Sequence, residues 1–250
     1  MADLYPIMHP ADARRLFTSE AVVRRFAKVA HWSAGTRLLE LCGSVGGLYL
    51  AKEAGLPLTV SDADGKALDA HKDRAKVLGL DSKVRFQHAQ FNSLPFKDGE
   101  FDGVLVLGRM VMPLEATALN LRKLLAPKGR LVMTWPVKVG RVGLQDAISF
   151  WEARIGAKLM MPRETLMTVE RQGFEPETIE TASGDELDEY YKELDAACAR
   201  LDAADPQVKA LKQEIAFHRD HGQKQGVTIA VLVARRKEPG ERPPPSRDSG

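Results

Sequence analysis

Between residues 37 and 135 the chain alternates short apolar runs with segments of helical period, and few architectures accept that alternation. The runs are 37–42 (RLLELC), 58–61 (LTVS), 84–87 (VRFQ), 101–107 (FDGVLVL) and 130–135 (RLVMTW). Helices are predicted between them over 46–54, 65–78 and 113–125, the last with Leu114, Ala118, Leu121 and Leu125 along one face. Strands that read as near-continuous apolar runs are covered on both faces, which implies a parallel sheet between helical layers. The expected fold is α/β, a doubly wound, Rossmann-like open sheet, and such sheets take ligands in the crevice beyond the carboxyl ends of their strands. Residues that act on a ligand are therefore sought just after strands. The segment 124–130 (LLAPKGR) is read as the end of a helix, turned by Pro127 and Gly129 into the next strand.

Outside this core, 11–30 reads as a helix with Leu16, Val23, Phe26, Ala27 and Ala30 along one stripe. After the core come a helical stretch near 144–172, a strand near 175–181 and two amphipathic helices. One helix carries Leu187, Tyr190, Tyr191, Leu194, Cys198 and Leu201; the other follows Pro206 with Val208, Leu211 and Ile215. The run 227–234 (VTIAVLVA) is strand-like, so the two helices fall between the last two strands. The organisation expected is one domain over 1–236, with its core at about 30–136 and substrate-shaping helices at about 144–172 and 185–222. The proline-rich, charge-balanced end 237–250 is read as a disordered tail.

A chain of 250 residues that is 44% hydrophobic has the length for one sizeable core, and a net charge of +2 gives no global field to draw it onto nucleic acid or anionic lipid. No uncharged stretch exceeds eleven residues, against roughly 20 for a bilayer-spanning helix, so no membrane span is expected. The first residues, MADLYP, lack the basic start and apolar run of a secretory signal, and a cytoplasmic protein is expected. Cys42 and Cys198 are the only cysteines and are read as free thiols.

The most informative stretch is 38–47 (LLELCGSVGG), where a strand delivers Glu40 and a turn of small residues enters a helix. Small residues let the backbone approach a ligand, and a helix amino terminus offers unpaired N–H groups. The second strand ends in Ser61-Asp62-Ala63-Asp64, and an acid at that position is placed to accept hydrogen bonds from both hydroxyls of a ribose; Asp62 is assigned that role. Gly43, Gly46 and Gly47 do not follow G-x-G-x-x-G, so a nicotinamide or flavin dinucleotide is not indicated; no G-x-x-x-x-G-K-[ST] run provides a triphosphate cradle either.

These residues, in this order and spacing, resemble the class I S-adenosylmethionine-dependent methyltransferases, in particular the small-molecule branch that includes quinone-biosynthesis enzymes. The resemblance spans roughly residues 30–136. It includes 92–102 (NSLPFKDGEFD) before the fourth strand and 124–130 before the fifth, while 227–234 resembles the family's seventh strand, which inserts antiparallel. The resemblance implies a seven-stranded, mostly parallel sheet with the last strand antiparallel and a helical insertion between strands six and seven. It also implies S-adenosyl-L-methionine as cofactor, S-adenosyl-L-homocysteine as product, and cofactor-binding roles for Glu40, Gly43, Gly46, Asp62, Ala63, Gln90, Phe91 and Leu107. Cys42 and Ser44 stand where the family usually has glycines, and Gln90 where it usually has an acid; the Gln90 amide offers a donor and an acceptor to an adenine edge.

A methyl group on a sulfonium is already electrophilic, so in-line positioning supplies most of the acceleration and a general base is needed only for protic acceptors. The motif therefore names no acid or base. Arg109, after the fourth strand, is a candidate to orient an anionic substrate. Tyr190 and Tyr191 with Met160, Met161 and Met167 fit either an acceptor pocket or packing against the sheet. The six histidines show no metal-ligand spacing with cysteine, and no metal is expected. The expected partner is a small organic acceptor, not nucleic acid or membrane. Two other readings stay open: a cofactor-binding protein without turnover, and a nucleic-acid methyltransferase. Against the latter, 108–113 (GRMVMP) lacks the [DN]-P-P-[YFW] signature, and 185–225 carries ten acids against six bases.

Overall fold

A computed structural model describes residues 20–41, 46–107, 112–140, 143–238 and 240. Seven strands form one sheet in the order β3-β2-β1-β4-β5-β7-β6. They are β1 (Leu38–Leu41), β2 (Leu58–Asp62), β3 (Val84–His88), β4 (Phe101–Val106), β5 (Leu125–Lys138), β6 (Phe174–Thr181) and β7 (Val227–Arg236). β1 pairs in parallel with β2 and β4, β2 with β3, and β4 with β5, whereas β7 runs antiparallel to both β5 and β6. This is the doubly wound sheet with an antiparallel seventh strand that the sequence led us to expect.

The helices are α1 (Glu20–Val29), α2 (Gly46–Ala54), α3 (Gly65–Val77), α4 (Leu114–Leu124), α5 (Gln145–Ile155), α6 (Pro162–Arg171), α7 (Gly184–Cys198) and α8 (Pro206–His221). Crossovers between parallel strands are right-handed, and the chain steps from β1 outward to β3 in one direction and from β4 to β5 in the other. So α2 and α3 cover one face and α4 the other. Every residue of β1 and β2 is buried in consequence, as are five of the six in β4, all but Asp102. Trp135, Phe26 and Phe174 are the bulkiest wholly buried side chains.

Two boundaries differ from the periodic reading. β5 begins at Leu125, inside the segment read as a turn, because Leu125 already pairs with Phe101. The next registered pair is Gly103 with Arg130, so the turn signal of Pro127 and Gly129 survives as an excursion within the strand, with Lys128 at φ 63°. The stretch near 144–172 is two helices: Gly156, left-handed at φ 66°, ends α5, and Pro162 opens α6. The part of the first predicted helix before residue 20 and the tail beyond 240 lie outside the described residues.

At the amino ends of the strands, Arg37 clamps β1 to β4. Its backbone N–H, Nε and Nη2 all donate to the Asp102 carboxylate, at 3.0, 2.8 and 2.8 Å, and its carbonyl accepts from the Asp102 N–H at 2.9 Å. The Arg37 hydrogen bond holds the Asp102 carboxyl below its ordinary range. A depressed carboxyl stabilises the fold above its unfolded value of about 4 and loses that contribution as pH falls through the lower folded value. The stability difference between wild type and Arg37→Ala will therefore be full near neutrality and will shrink as pH falls below about 4. Both side chains are substantially exposed, at 51% and 38%, so the difference stays below about 1 kcal/mol. Unfolding curves offset equally at pH 7 and pH 2.5 would assign the clamp no electrostatic role.

Candidate active site

The strand order reverses direction between β1 and β4, and the crevice of such a sheet opens there, beyond the carboxyl ends. Glu40 pairs with Val60 on one side and Leu105 on the other. Side chains alternate between faces along a strand, so Asp62, two residues past Val60, and Leu107, two past Leu105, share the face of Glu40. His88, the register partner of Asp62, joins them. The sequence-derived acids thus meet on adjacent strands at one rim.

Their roles differ. Glu40 has no exposed surface, and its Oε1 accepts from the Gly47 N–H at 3.3 Å, in the first turn of α2. A carboxylate there is favoured by the partial positive charge of a helix amino terminus. At residue 47 any Cβ would lie 2.6 Å from Glu40 Oε2 and 2.9 Å from Leu58 Cδ1, so only glycine lets α2 settle onto the carboxylate. Glu40 is thereby a buried support for the start of α2. Gly46, the first residue of that helix, is buried as well. Gly43 and the rest of the turn 42–45 lie outside the described residues, as does Arg109.

Asp62 is 4% exposed and ends β2, its Oδ1 accepting from the Asp64 N–H at 2.9 Å. Asp64 in turn caps α3, accepting from the N–H groups of Lys66 and Ala67 at 2.6 and 3.1 Å. The S-D-A-D turn is thus tied at both acids, which fixes where Asp62 presents its carboxylate. The Ala63 carbonyl accepts from His88 Nε2 at 2.8 Å, and the Ala89 N–H donates to the Asp62 carbonyl at 3.0 Å, binding the ends of β2 and β3 together. Gln90 is exposed and opens a short 3-10 turn whose first residue, Phe91, is half-buried. Leu107 is buried.

Gly47 and Asp64 were met in the sequence motifs without being given a role, and His88 was not singled out. The spacing S/D-x-x before a helix signals the Asp64 cap. Gly47 and His88 carry no local signal, because their partners lie on other strands.

The segments following β5 and β6 rise from the same rim. β6 runs parallel to β5 and β7 opposite to both, so α7 and α8, between β6 and β7, stand at the carboxyl end of the sheet. The N–H groups of Val139 and Leu144 donate to the carbonyls of Gly226 and Gln225, at 2.9 and 3.0 Å, and the rings of Phe150 on α5 and Phe217 on α8 lie 5.7 Å apart. Gly226 sits at φ 77° with its Cβ position 2.5 Å from Gly143 Cα, a close backbone approach that a side chain would prevent. Of the aromatic and methionine stripe, Tyr190 and Tyr191 are buried between α7 and α8, whereas Met161 and Met167 face outward. Among the described residues no group of three His, Cys, Asp or Glu side chains is arranged to hold a metal ion, and no helix is long and apolar enough to cross a membrane.

Residues 39–129, from β1 to the excursion in β5, match the family described as a methyltransferase domain. A curated relative, Methyltransferase GfsG of Streptomyces halstedii, is 29% identical over 105 residues, covering 40% of this chain and 38% of that protein. The match thus spans well under half of the relative's length. Among solved structures, a SAM-dependent methyltransferase from Thiobacillus denitrificans in complex with S-adenosyl-L-homocysteine superposes with a TM-score of 0.75 at 19% identity, covering 95% of this chain and 99% of that one. The [4+2]-cyclase SpnF superposes with a TM-score of 0.72 at 18% identity, covering 94% and 93%. Residues 39–129 thus match a methyltransferase domain, and the fold is shared with solved SAM-dependent methyltransferases, one of which holds S-adenosyl-L-homocysteine.

Proposed function

We propose that this protein transfers the methyl group of S-adenosylmethionine to a small organic acceptor. The observation that carries the reading is the shared rim: Asp62, fixed at the end of β2, stands on the same sheet face as the Glu40 that supports the start of α2. In this reading Asp62 accepts from the ribose hydroxyls, Ala63, Gln90 and Phe91 flank the adenine, and Gly43, Gly46 and Leu107 border the methionyl portion. The bound cofactor supplies the activated methyl group; the protein orients it and excludes water. The acceptor is taken as a small organic molecule because a net charge of +2 gives no global field for nucleic acid and because residues 185–225 of the insertion carry more acids than bases. The helices α5 to α8, rooted at the same rim, shape its pocket.

Calorimetry with S-adenosylmethionine and S-adenosylhomocysteine tests the first half, with binding of both expected; no heat at millimolar ligand would remove the reading. A second reading, cofactor binding without methyl transfer, draws on Gln90, Cys42 and Ser44 in place of the family's usual residues, and on the fold's similarity to the [4+2]-cyclase SpnF. Release of S-adenosylhomocysteine in the presence of any acceptor separates the two.

A further inference from the structure

At the end of the sheet opposite the cofactor rim, α4 hands over to β5, β6 begins and β7 ends, and two arginines come together there. Arg122, in the last turn of α4, lies flat against Gly173: a Cβ at that glycine would stand 2.5 Å from its Nε and 3.0 Å from its Cζ. Gly173 precedes Phe174, the register partner of Arg236 on β7. Arg236 Nη1 in turn donates to the carbonyl of Leu125, just past the end of α4. The other cations of these strand ends are paired: Arg130 with Glu177, Arg235 with Glu175, Lys237 with Glu170 and Lys128 with Glu238. Arg122 and Arg236 have no carboxylate partner among the described residues, and the Nε of each is buried without an acceptor. Burial, and then the charge of Arg122, hold the Arg236 guanidinium below its ordinary value, against an opposing pull from the exposed Asp98. Like charges brought together in partial burial repel, and the carboxyl end of α4 supplies only about half of one negative charge against them.

We propose that this corner is an anion site that takes a phosphate group, whose oxygens accept from the terminal nitrogens of Arg122 and Arg236. A phosphate group brings about 1.5 to 2 negative charges near neutrality and three acceptor oxygens, which suits two guanidinium forks better than the single charge of a monocarboxylate. The Nε atoms are sealed, but both side chains are only half-buried, so the Nη groups are the donors that an arriving anion meets. The site lies at the amino ends of the parallel strands, away from Asp62, and the proposal does not depend on methyl transfer. The full-length protein is titrated with inorganic phosphate, glycerol 3-phosphate and acetate by calorimetry and by thermal unfolding, with sodium chloride holding the ionic strength constant. Saturable binding of phosphate that raises the melting temperature is expected, with acetate at least about tenfold weaker. Binding of glycerol 3-phosphate as well assigns the ligand as a phosphorylated organic molecule, and binding of inorganic phosphate alone assigns the free ion. Arg122→Gln and Arg236→Gln are each expected to weaken phosphate by about tenfold or more while S-adenosylhomocysteine binds as it does to wild type. Phosphate without a saturable effect on wild type, acetate binding as tightly as phosphate, or phosphate affinity unchanged in both variants overturns the proposal. The wild-type titrations decide it even where a variant does not fold.

Discussion

Asp62→Ala is expected to weaken S-adenosylhomocysteine binding by roughly 30- to 150-fold, because two hydrogen bonds from ribose hydroxyls to a carboxylate are worth about 2–3 kcal/mol together. The residue is nearly buried and ends β2, so the substitution also removes the acceptor for the Asp64 N–H. Asp62→Asn separates the two effects. It keeps an oxygen for the Asp64 N–H and gives up the charge, so its affinity is expected to fall between wild type and alanine with little change in melting temperature. Calorimetry on all three proteins, with thermal unfolding as the control for folding, makes the comparison. A folded Asp62→Ala protein that binds as wild type does would show that another group holds the ribose.

Gly47→Ala is expected to cost about 1–3 kcal/mol of stability, the range for adding a methyl group to a packed interior. The added carbon would stand 2.6 Å from Glu40 Oε2 and 2.9 Å from Leu58 Cδ1. Glu40 has no exposed surface, and pushing its carboxylate aside breaks its bond to the start of α2. The loss should therefore show twice, as a lower midpoint in denaturant and as weaker binding of the cofactor at the turn that α2 opens. A variant as stable as wild type would mean that the helix can shift on the strand without penalty. Gly65→Ala serves as the comparison, since nothing lies within 4 Å of a Cβ there, and it should alter stability far less.

The two acids at the rim were legible because strand endings are written locally: an apolar run stops, a small-residue turn follows, and topology places both ends at one edge. Their division of labour was not legible. Glu40 and Asp62 read alike as acids after strands, yet one is sealed beneath α2 and the other, also buried, is held by an Asp-turn at the end of β2. Gly46 looked like the important glycine because it matches a motif; Gly47 is the one whose Cβ position is occupied by a side chain of another element. The turn signal of 124–130 was read correctly as a local feature and placed wrongly, because Leu125 pairs across to Phe101 and extends the strand around it. Tyr191 fitted either an acceptor pocket or packing against the sheet, His218 showed no metal-ligand spacing with cysteine, and neither, 27 positions apart, gave a sign of their stacking.

Hydrophobic periodicity and turn chemistry act within a few residues, so the order of strands and helices, the crevice and the two rim acids could all be read along the chain. Burial, close approach and the pairing of groups far apart in the chain depend on which elements come to lie against one another. For that reason the support role of Glu40, the need for glycine at 47 and the stacking of Tyr191 on His218 emerged only once the elements had packed.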